Sequence, residues 1–480
     1  MNGIMKRSFG GDDMGVMMQY FESNIKPEQN LWNQLADDAY HLSQLGITAV
    51  WMPPAFKGAS GIRDIGYGLY DLYDLGQFHQ KGTVRTKYGY KDEFIQAIES
   101  CHQNNIHVYP DIVLNHKMGS DNVNVSYGQM VSSSNRNKVT QKRRKLLVPT
   151  QFNFYDRHNM YSSFKWTQDH FSGVDYDFFS HKRGIYLLHG HQWSNHVSQE
   201  FGNFDYLMGA NIDHNQEDVK EELMRFGDWF VDTVHPDGFR LDALKHIDYQ
   251  FYKDWLWHMR QKQDYFVVGE YWSGIVEELE EYLSNVDYCM SLFDVPLHYH
   301  FYECSRNRDT YDLRNLFKDT LVQRNPVHAV TFVDNHDTQP QKGLASYVYK
   351  WFKPMAYACI LLREQGYPCV FYGDYYGIHY SKAIPIHDEL DGLLYVRRNF
   401  CYGWQNDYFE DDYQMGWTRE GGMACLFSIR QDGDKYMYVG EPFNNCFFYD
   451  IYNPHHRVYI DNGWGRFTCK ANHLSVFVLE

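Results

Sequence analysis

Eight short apolar, β-rich runs recur along this chain, and segments with helical periodicity separate several of them. The runs are Val16 to Phe21, Ile47 to Met52, Ile106 to Leu114, Gly238 to Asp242, Tyr265 to Glu270, Tyr288 to Phe293, Ala329 to Val333 and Cys369 to Gly373. The stretches Leu31 to Leu45, Lys91 to Gln103 and Val219 to Val234 carry the amphipathic pattern of a helix that buries one face. Strands alternating with helices of this length imply a parallel sheet covered by helices. Eight repeats predict an α/β chain built on a closed (β/α)8 TIM barrel, a fold whose active sites lie at the strand C-termini.

The spacing breaks once. The third run ends near His116 and the fourth begins near Gly238, and the helix Val219 to Val234 fills only the last part of that gap. The rest is far longer than an ordinary strand-to-helix loop. It carries Trp166, Tyr176 and His189, residues that promote order, so a small inserted β-rich domain is expected over 116–216. Its basic cluster, Lys142 to Lys145, reads as a solvated strand or turn. Past residue 400 the pattern changes to short alternating runs, among them Met423 to Ile429, Lys435 to Val439, Cys446 to Tyr449 and Leu474 to Leu479. Gly and Asn turns separate these runs, which predicts an antiparallel β-sandwich over 401–480. The barrel is then made of 1–115 and 217–400.

Three of the barrel runs end in acids. Arg240 and Asp242 are two residues apart and share one face of a strand. A barrel interior is a costly place for both unless they pair or do chemistry. Glu270 ends the next run, 28 residues later. Neighbouring parallel strands lie about 4.8 Å apart, which puts the two carboxyls near the ~5–5.5 Å separation of a retaining glycosidase. Asp337 ends the seventh run, next to His336, and His116 ends the third. An isolated Asn-His-Asp is an ordinary turn sequence. At the mouth that holds Asp242 and Glu270 it becomes a third acid, with two histidines available to sugar hydroxyls.

Composition narrows the partners. There are 61 acidic against 45 basic residues, a formal charge of −16, which disfavours a nucleic-acid phosphate backbone as ligand. No stretch is long enough to span a bilayer. The amino-terminal run Met1 to Gly11 has no apolar core of a signal peptide. The nine cysteines are scattered with no CxxC pair, a pattern of reduced, mostly buried thiols. These features lead us to expect a cytoplasmic monomer that binds neither nucleic acid nor membrane.

The segments Asp111 to His116, Gly238 to Ile247, Gly269 to Trp272 and Phe332 to Asp337 resemble the four ordered sequence regions of the α-amylase family. Gly66 to Gly89, Asn203 to Met208 and Gly416 to Gly421 look like the liquefying-type bacterial members, and the resemblance covers nearly the whole chain. It implies Asp242 as nucleophile, Glu270 as general acid/base and Asp337 as the acid that holds sugar hydroxyls in the distorted transition state. Arg240 would keep Asp242 ionised. Tyr67, His116 and His336 would line the subsite of the attacked sugar, and Lys245 and His246 the leaving-group side. The implied substrate is the internal α-1,4 bonds of starch, glycogen or maltodextrins. An exo-acting or transferring enzyme that releases a defined maltooligosaccharide is the alternative, followed by a non-catalytic glucan-binding protein.

The resemblance also implies a calcium ion, Ca2+, held by the side chains of Asn115, Asp205 and Asn211 and the carbonyl of His246. These are the oxygen donors a hard cation needs. Liquefying-type relatives carry Asp where Asn211 stands, so this site has one fewer negative charge. Acidic positions of a further metal cluster fall at Ser172, Gln192 and Asn215. At most one calcium per chain is expected.

Overall fold

The computed structural model describes residues 15–480, and the amino-terminal run Met1 to Gly11 lies outside the described residues. All eight runs form strands: β1 (Met17–Gln19), β2 (Ala49–Met52), β3 (His107–Ile112), β4 (Gly238–Leu241), β5 (Phe266–Gly269), β6 (Ser291–Phe293), β7 (Ala329–Phe332) and β8 (Tyr367–Phe371). They close into a barrel in chain order. Its strands pair in parallel, with Arg240 level with both Asp111 and Val268, and Met17 level with Cys369. Most strand residues are buried on both faces, and this is why the strands read as continuous apolar runs. The strands are shorter than the runs because burial outlasts pairing. Val113 and Leu114 follow β3 and are fully buried without extending the ladder.

Helices stand where the periodicity placed them, at Leu31–Leu45, Lys91–Gln103 and Glu217–Val234. The third buries Val219, Leu223, Phe226, Phe230 and Val234, residues spaced three or four apart.

The described residues gather into two compact units, one of 23–40 and 50–295, the other of 15–22, 41–49 and 296–480. The first holds β3 to β6 and the inserted segment. That segment builds a six-stranded sheet in the order His116–Lys117, Ala210–Ile212, Phe171–Asp177, Lys182–Leu188, Asn122–Val131, Val139–Gln151. The basic cluster lies on the exposed part of the strand Val139–Gln151, with Arg144 reaching Asp177 at 3.3 Å. The second unit holds β1, β7, β8 and the carboxy-terminal β structure. There a six-stranded sheet and the pair Gly433–Tyr438 and Trp464–Cys469 share one core of Leu426, Met437, Phe448, Phe467 and Phe477. The nine cysteines are thiols outside any disulfide, and seven of them are buried. Among the described residues no helix is long and apolar enough to cross a membrane.

Candidate active site

At the C-terminal end of β4 the chain turns sharply. Ala243 adopts φ 56°, ψ 41°, a left-handed conformation that non-glycine residues rarely take. Its neighbour Asp242 is thereby left at the strand end, with its N–H donating to the Ile112 carbonyl (3.1 Å). On β5, Gly269 precedes Glu270 for a steric reason: a Cβ there would lie 2.2 Å from Leu244 Cδ1. Leu244 N–H in turn donates to the Glu270 carbonyl (3.0 Å), so the two strand ends brace each other.

One guanidinium organises the acids. Arg240 Nη1 donates to Asp242 Oδ1 (2.6 Å) and to both oxygens of Asp111 (2.9 and 3.0 Å), and Nη2 donates to Glu270 Oε2 (2.8 Å). Asp111 also accepts from Trp51 Nε1 (3.0 Å) and Tyr67 Oη (2.8 Å). Asp111 and Arg240 are fully buried, whereas the side chains of Asp242 and Glu270 keep 11% and 12% of their surface open. The two outer acids can therefore meet a ligand while the inner one cannot. Burial pushes the Asp111 carboxyl up to about 6 despite the Arg240 charge. Desolvation works against the Arg240 cation too, but the charges of Asp111 and Glu270 outweigh it and hold its pKa well above the usual value. Three carboxylates thus share one positive charge.

His116 is buried and has both ring nitrogens engaged by the protein: Nε2 donates to the Tyr67 carbonyl (2.8 Å) and Nδ1 accepts from Asn115 Nδ2 (3.1 Å). Burial lowers its pKa to about 4, so it stays neutral and braces the segment that carries Tyr67. His246 is likewise neutral, lowered to about 4 by burial, and its Nδ1 donates to the Phe204 carbonyl (2.7 Å). Lys245 pairs with Glu200 and donates to the Trp272 carbonyl (3.2 Å). In the second unit, His336 and Asp337 follow β7. His336 Nδ1 accepts from Gln19 Nε2 (3.0 Å), its ring packs on Phe21 (4.9 Å), and its Nε2 lies 3.4 Å from Asp337 Oδ2. The Asp337 side chain is 35% exposed.

The residues named for calcium fit a hard cation. The buried amide oxygens of Asn115 and Asn211 have no hydrogen-bond partner. Asp205 is buried; it accepts from Ser194 N–H (2.9 Å) and Asn211 Nδ2 (3.0 Å), yet desolvation raises its pKa to about 7. Two orphaned buried amide oxygens and a buried carboxylate are donors of the kind a hard cation takes. Among the described residues no three His, Cys, Asp or Glu side chains converge as a metal site, and these donors are amides with a single carboxylate. Asn211 Nδ2 also donates to Ser172 Oγ (2.9 Å).

Residues 32–418 match the family profile described as "Alpha amylase, catalytic domain". The chain belongs to the α-amylase family. It is 46% identical over 477 residues to an α-amylase of Geobacillus stearothermophilus, a match covering 97% of this chain and 87% of that relative. It is also 46% identical to a glucan 1,4-alpha-maltohexaosidase of Bacillus sp. (strain 707), covering 97% of this chain and 92% of the relative. A cytoplasmic α-amylase of Escherichia coli (strain K12) is 40% identical, with 97% and 99% covered.

Sequence reasoning named Asp242, Glu270 and Arg240 but not the residues of this α-amylase-family chain that hold them. Asp111 opens one of the motifs and is a lone acid in an apolar strand, which is a usable signal. Trp51 and Gln19 look like ordinary strand residues, and only the fold brings them to Asp111 and His336.

Proposed function

We propose that this chain cleaves internal α-1,4-glucosidic bonds of starch, glycogen or maltodextrins with retention of the anomeric configuration. The observation that supports this most is the single Arg240 guanidinium bonded at once to Asp242 and Glu270 at neighbouring strand ends. Two carboxyls close enough to share one guanidinium suit double displacement. Glu270 gives its proton to the glycosidic oxygen as Asp242 attacks the anomeric carbon. The C–O bond to the leaving chain breaks and a covalent glycosyl ester forms. Glu270, now ionised, takes a proton from water, which attacks the same carbon and releases Asp242. Arg240 keeps the nucleophile anionic between turnovers. Asp337 and His336, at the end of another barrel strand, are assigned to the hydroxyls of the attacked sugar.

A time course by NMR on amylose tests the reaction. The first product should be the α-anomer, and a β-anomer as first product refutes double displacement. Asp242→Asn should lower kcat by several orders of magnitude with the fold intact. The relative named a maltohexaosidase favours a second reading, release of a defined oligosaccharide. A starch blocked at its chain ends separates the two, because only an endo-acting enzyme shortens it.

Two further assignments belong to this proposal. Asn115, Asp205, Asn211 and the His246 carbonyl would hold one calcium ion, which supplies charge compensation for Asp205 and ties the inserted segment to the strand ends. The relative named cytoplasmic and nine cysteines outside any disulfide support a cytoplasmic monomer that turns over glycogen or imported maltodextrins.

A further inference from the structure

Lys353 opens the otherwise uncharged helix Lys353–Leu361 and is buried there. Both circumstances disfavour a cation: burial strips its water, and the first turn of a helix carries the positive end of the dipole. Two buried carboxylates hold it. Its ammonium pairs with Asp334 Oδ2 (2.7 Å), just past β7, and with Asp374, just past the neighbouring strand β8. Desolvation works against the Lys353 charge, but Asp334 and Asp374 outweigh it and hold its pKa above the usual value. An ion network of this kind often stabilises a fold no better than apolar packing would. What it adds is geometry, and here the geometry leads to Asp337. The Thr338 hydroxyl gives its single proton to the nearer of two acceptors, Asp334 Oδ1 (3.0 Å) over the Asn335 carbonyl (3.4 Å), and accepts from Asn335 N–H (2.9 Å). Asn335 Oδ1 in turn accepts from the N–H groups of Asp337 (2.8 Å) and Thr338 (2.9 Å). Val348 N–H steadies both Asp334 oxygens (3.2 Å each). The turn 335–338, which presents the partly open Asp337 side chain, thus hangs from a buried Lys353–Asp334 pair. Asp334 and Thr338 are themselves buried, so they reach a ligand only through Asp337.

We propose that Thr338, Asp334 and Lys353 are positioning residues for the reaction: they fix the turn 335–338 so that the Asp337 carboxylate meets the hydroxyls of the attacked sugar as its ring distorts. This deepens the proposed function and rests on it. Asp337 favours the distorted ring over the relaxed one only if its oxygens stay where the distorted ring brings the hydroxyls. A turn free to shift would follow the relaxed sugar equally well and lose that preference. Anchoring the turn through one ammonium to the ends of two paired strands removes the freedom.

A double-mutant cycle tests this. Thr338→Val keeps the branched shape and removes the hydroxyl, and Asp334→Asn removes the charge that meets Lys353. Each is made in the wild type and in Asp337→Asn, and kcat and KM are read from release of the aryl group of an aryl α-maltooligoside. In the wild-type background both changes should lower kcat/KM roughly 10- to 100-fold, mostly through kcat. In the Asp337→Asn background they should lower it less than about twofold, because the carboxylate they place is already gone. Thr338→Ser keeps the hydroxyl and should recover most of the loss. If Thr338→Val does not fold, Asp334→Asn carries the same cycle. Equal factors in the two backgrounds would mean that the network merely supports the fold and would overturn the proposal, as would unchanged kinetics in the wild-type background. A wild type that cleaves neither amylose nor the aryl substrate refutes the proposed function, and an Asp337→Asn enzyme as active as wild type refutes the role of Asp337; each takes the positioning role with it. An active wild type, a crippled Asp337→Asn and additive variants refute the positioning role alone.

Discussion

Arg240→Lys tests whether the guanidinium fork, and not merely a positive charge, organises the acids. Arg240 makes its contacts with two nitrogens: Nη1 serves Asp111 and Asp242, and Nη2 serves Glu270. A lysine carries one nitrogen on a point charge and cannot reproduce that geometry. Placed near the Nη1 position it keeps Asp111 and Asp242 and abandons Glu270. A charge-assisted hydrogen bond contributes about 1.5–3 kcal/mol, and an acid left largely buried without its partner can cost up to ~3–5 kcal/mol. The open fraction of the Glu270 side chain is small but lets water offset part of this, so the lower range is the better estimate. The unfolding free energy in urea should fall by about 1.5–3 kcal/mol. If the same bond also orients Glu270, kcat should drop roughly 10- to 100-fold. Without the Arg240 charge beside it, the Glu270 carboxyl holds its proton to higher pH, so the alkaline limb of the pH–kcat profile should move upward. An Arg240→Lys enzyme with kcat within threefold of wild type and an unmoved alkaline limb would refute the reasoning.

Gln19→Met removes the donor to His336 Nδ1 while keeping side-chain length; one lost hydrogen bond of about 1 kcal/mol predicts a fall in kcat/KM of roughly fivefold with little change in Tm, and unchanged kinetics would count against His336 being oriented this way. Asn211→Asp places a carboxylate where an amide now donates to Asp205 at 3.0 Å; the melt in chelator should drop and calcium affinity rise, measured by differential scanning and by titration calorimetry, and a variant whose chelator melt matches wild type would speak against the calcium assignment. Gel-filtered protein should carry no more than one calcium per chain by metal analysis. Asp237 is clamped by His102 (2.9 Å), His107 (3.2 Å) and the Val108 N–H (2.8 Å). Desolvation opposes it, but the two histidine bonds hold the Asp237 pKa well below the ordinary 3.8, and the bond to Asp237 raises His107 above 6.5. The lowered carboxyl stabilises above about pH 4 and is lost on acidification through its folded pKa; the raised imidazole stabilises below about pH 6.5 and is lost as pH climbs through its folded value. The Tm difference between wild type and Asp237→Asn should therefore peak between about pH 4 and 6.5 and shrink on either side, by an amount that stays under ~1 kcal/mol for groups this exposed; a difference independent of pH would refute the ion-pair account.

The acids were legible because the chemistry needs them at strand ends, where a charged residue interrupts an apolar run. The strands were legible because a parallel barrel buries both faces of each one, so that Val330 or Val267 stands in an unbroken apolar stretch. The same physics hides other elements. The strands Gln405–Tyr408 and Asn453–Tyr459 lie at the two outer edges of the carboxy-terminal sheet, the first mostly half-buried and the second largely exposed; their polar sequences show no alternation to read. Val139–Gln151 is a strand that begins with charged, solvated residues, and pairing along Asn122–Val131 gives it its register, not a hydrophobic pattern of its own. The supports of the site were hidden for a different reason. Asp111 lies 129 residues from Arg240, and Gln19 lies 317 from His336. Nothing local distinguishes a carboxylate that will hold a guanidinium from one that faces water, because that depends on which strands become neighbours and in which register. The His116 reading shows the same limit from the other side. Its motif placed it at the mouth, and the fold adds what the motif could not show: both nitrogens are engaged, by Asn115 and the Tyr67 carbonyl. A motif marks where side chains gather. Which of them meets the ligand is decided by the hydrogen bonds each has already made, and only the folded chain sets those.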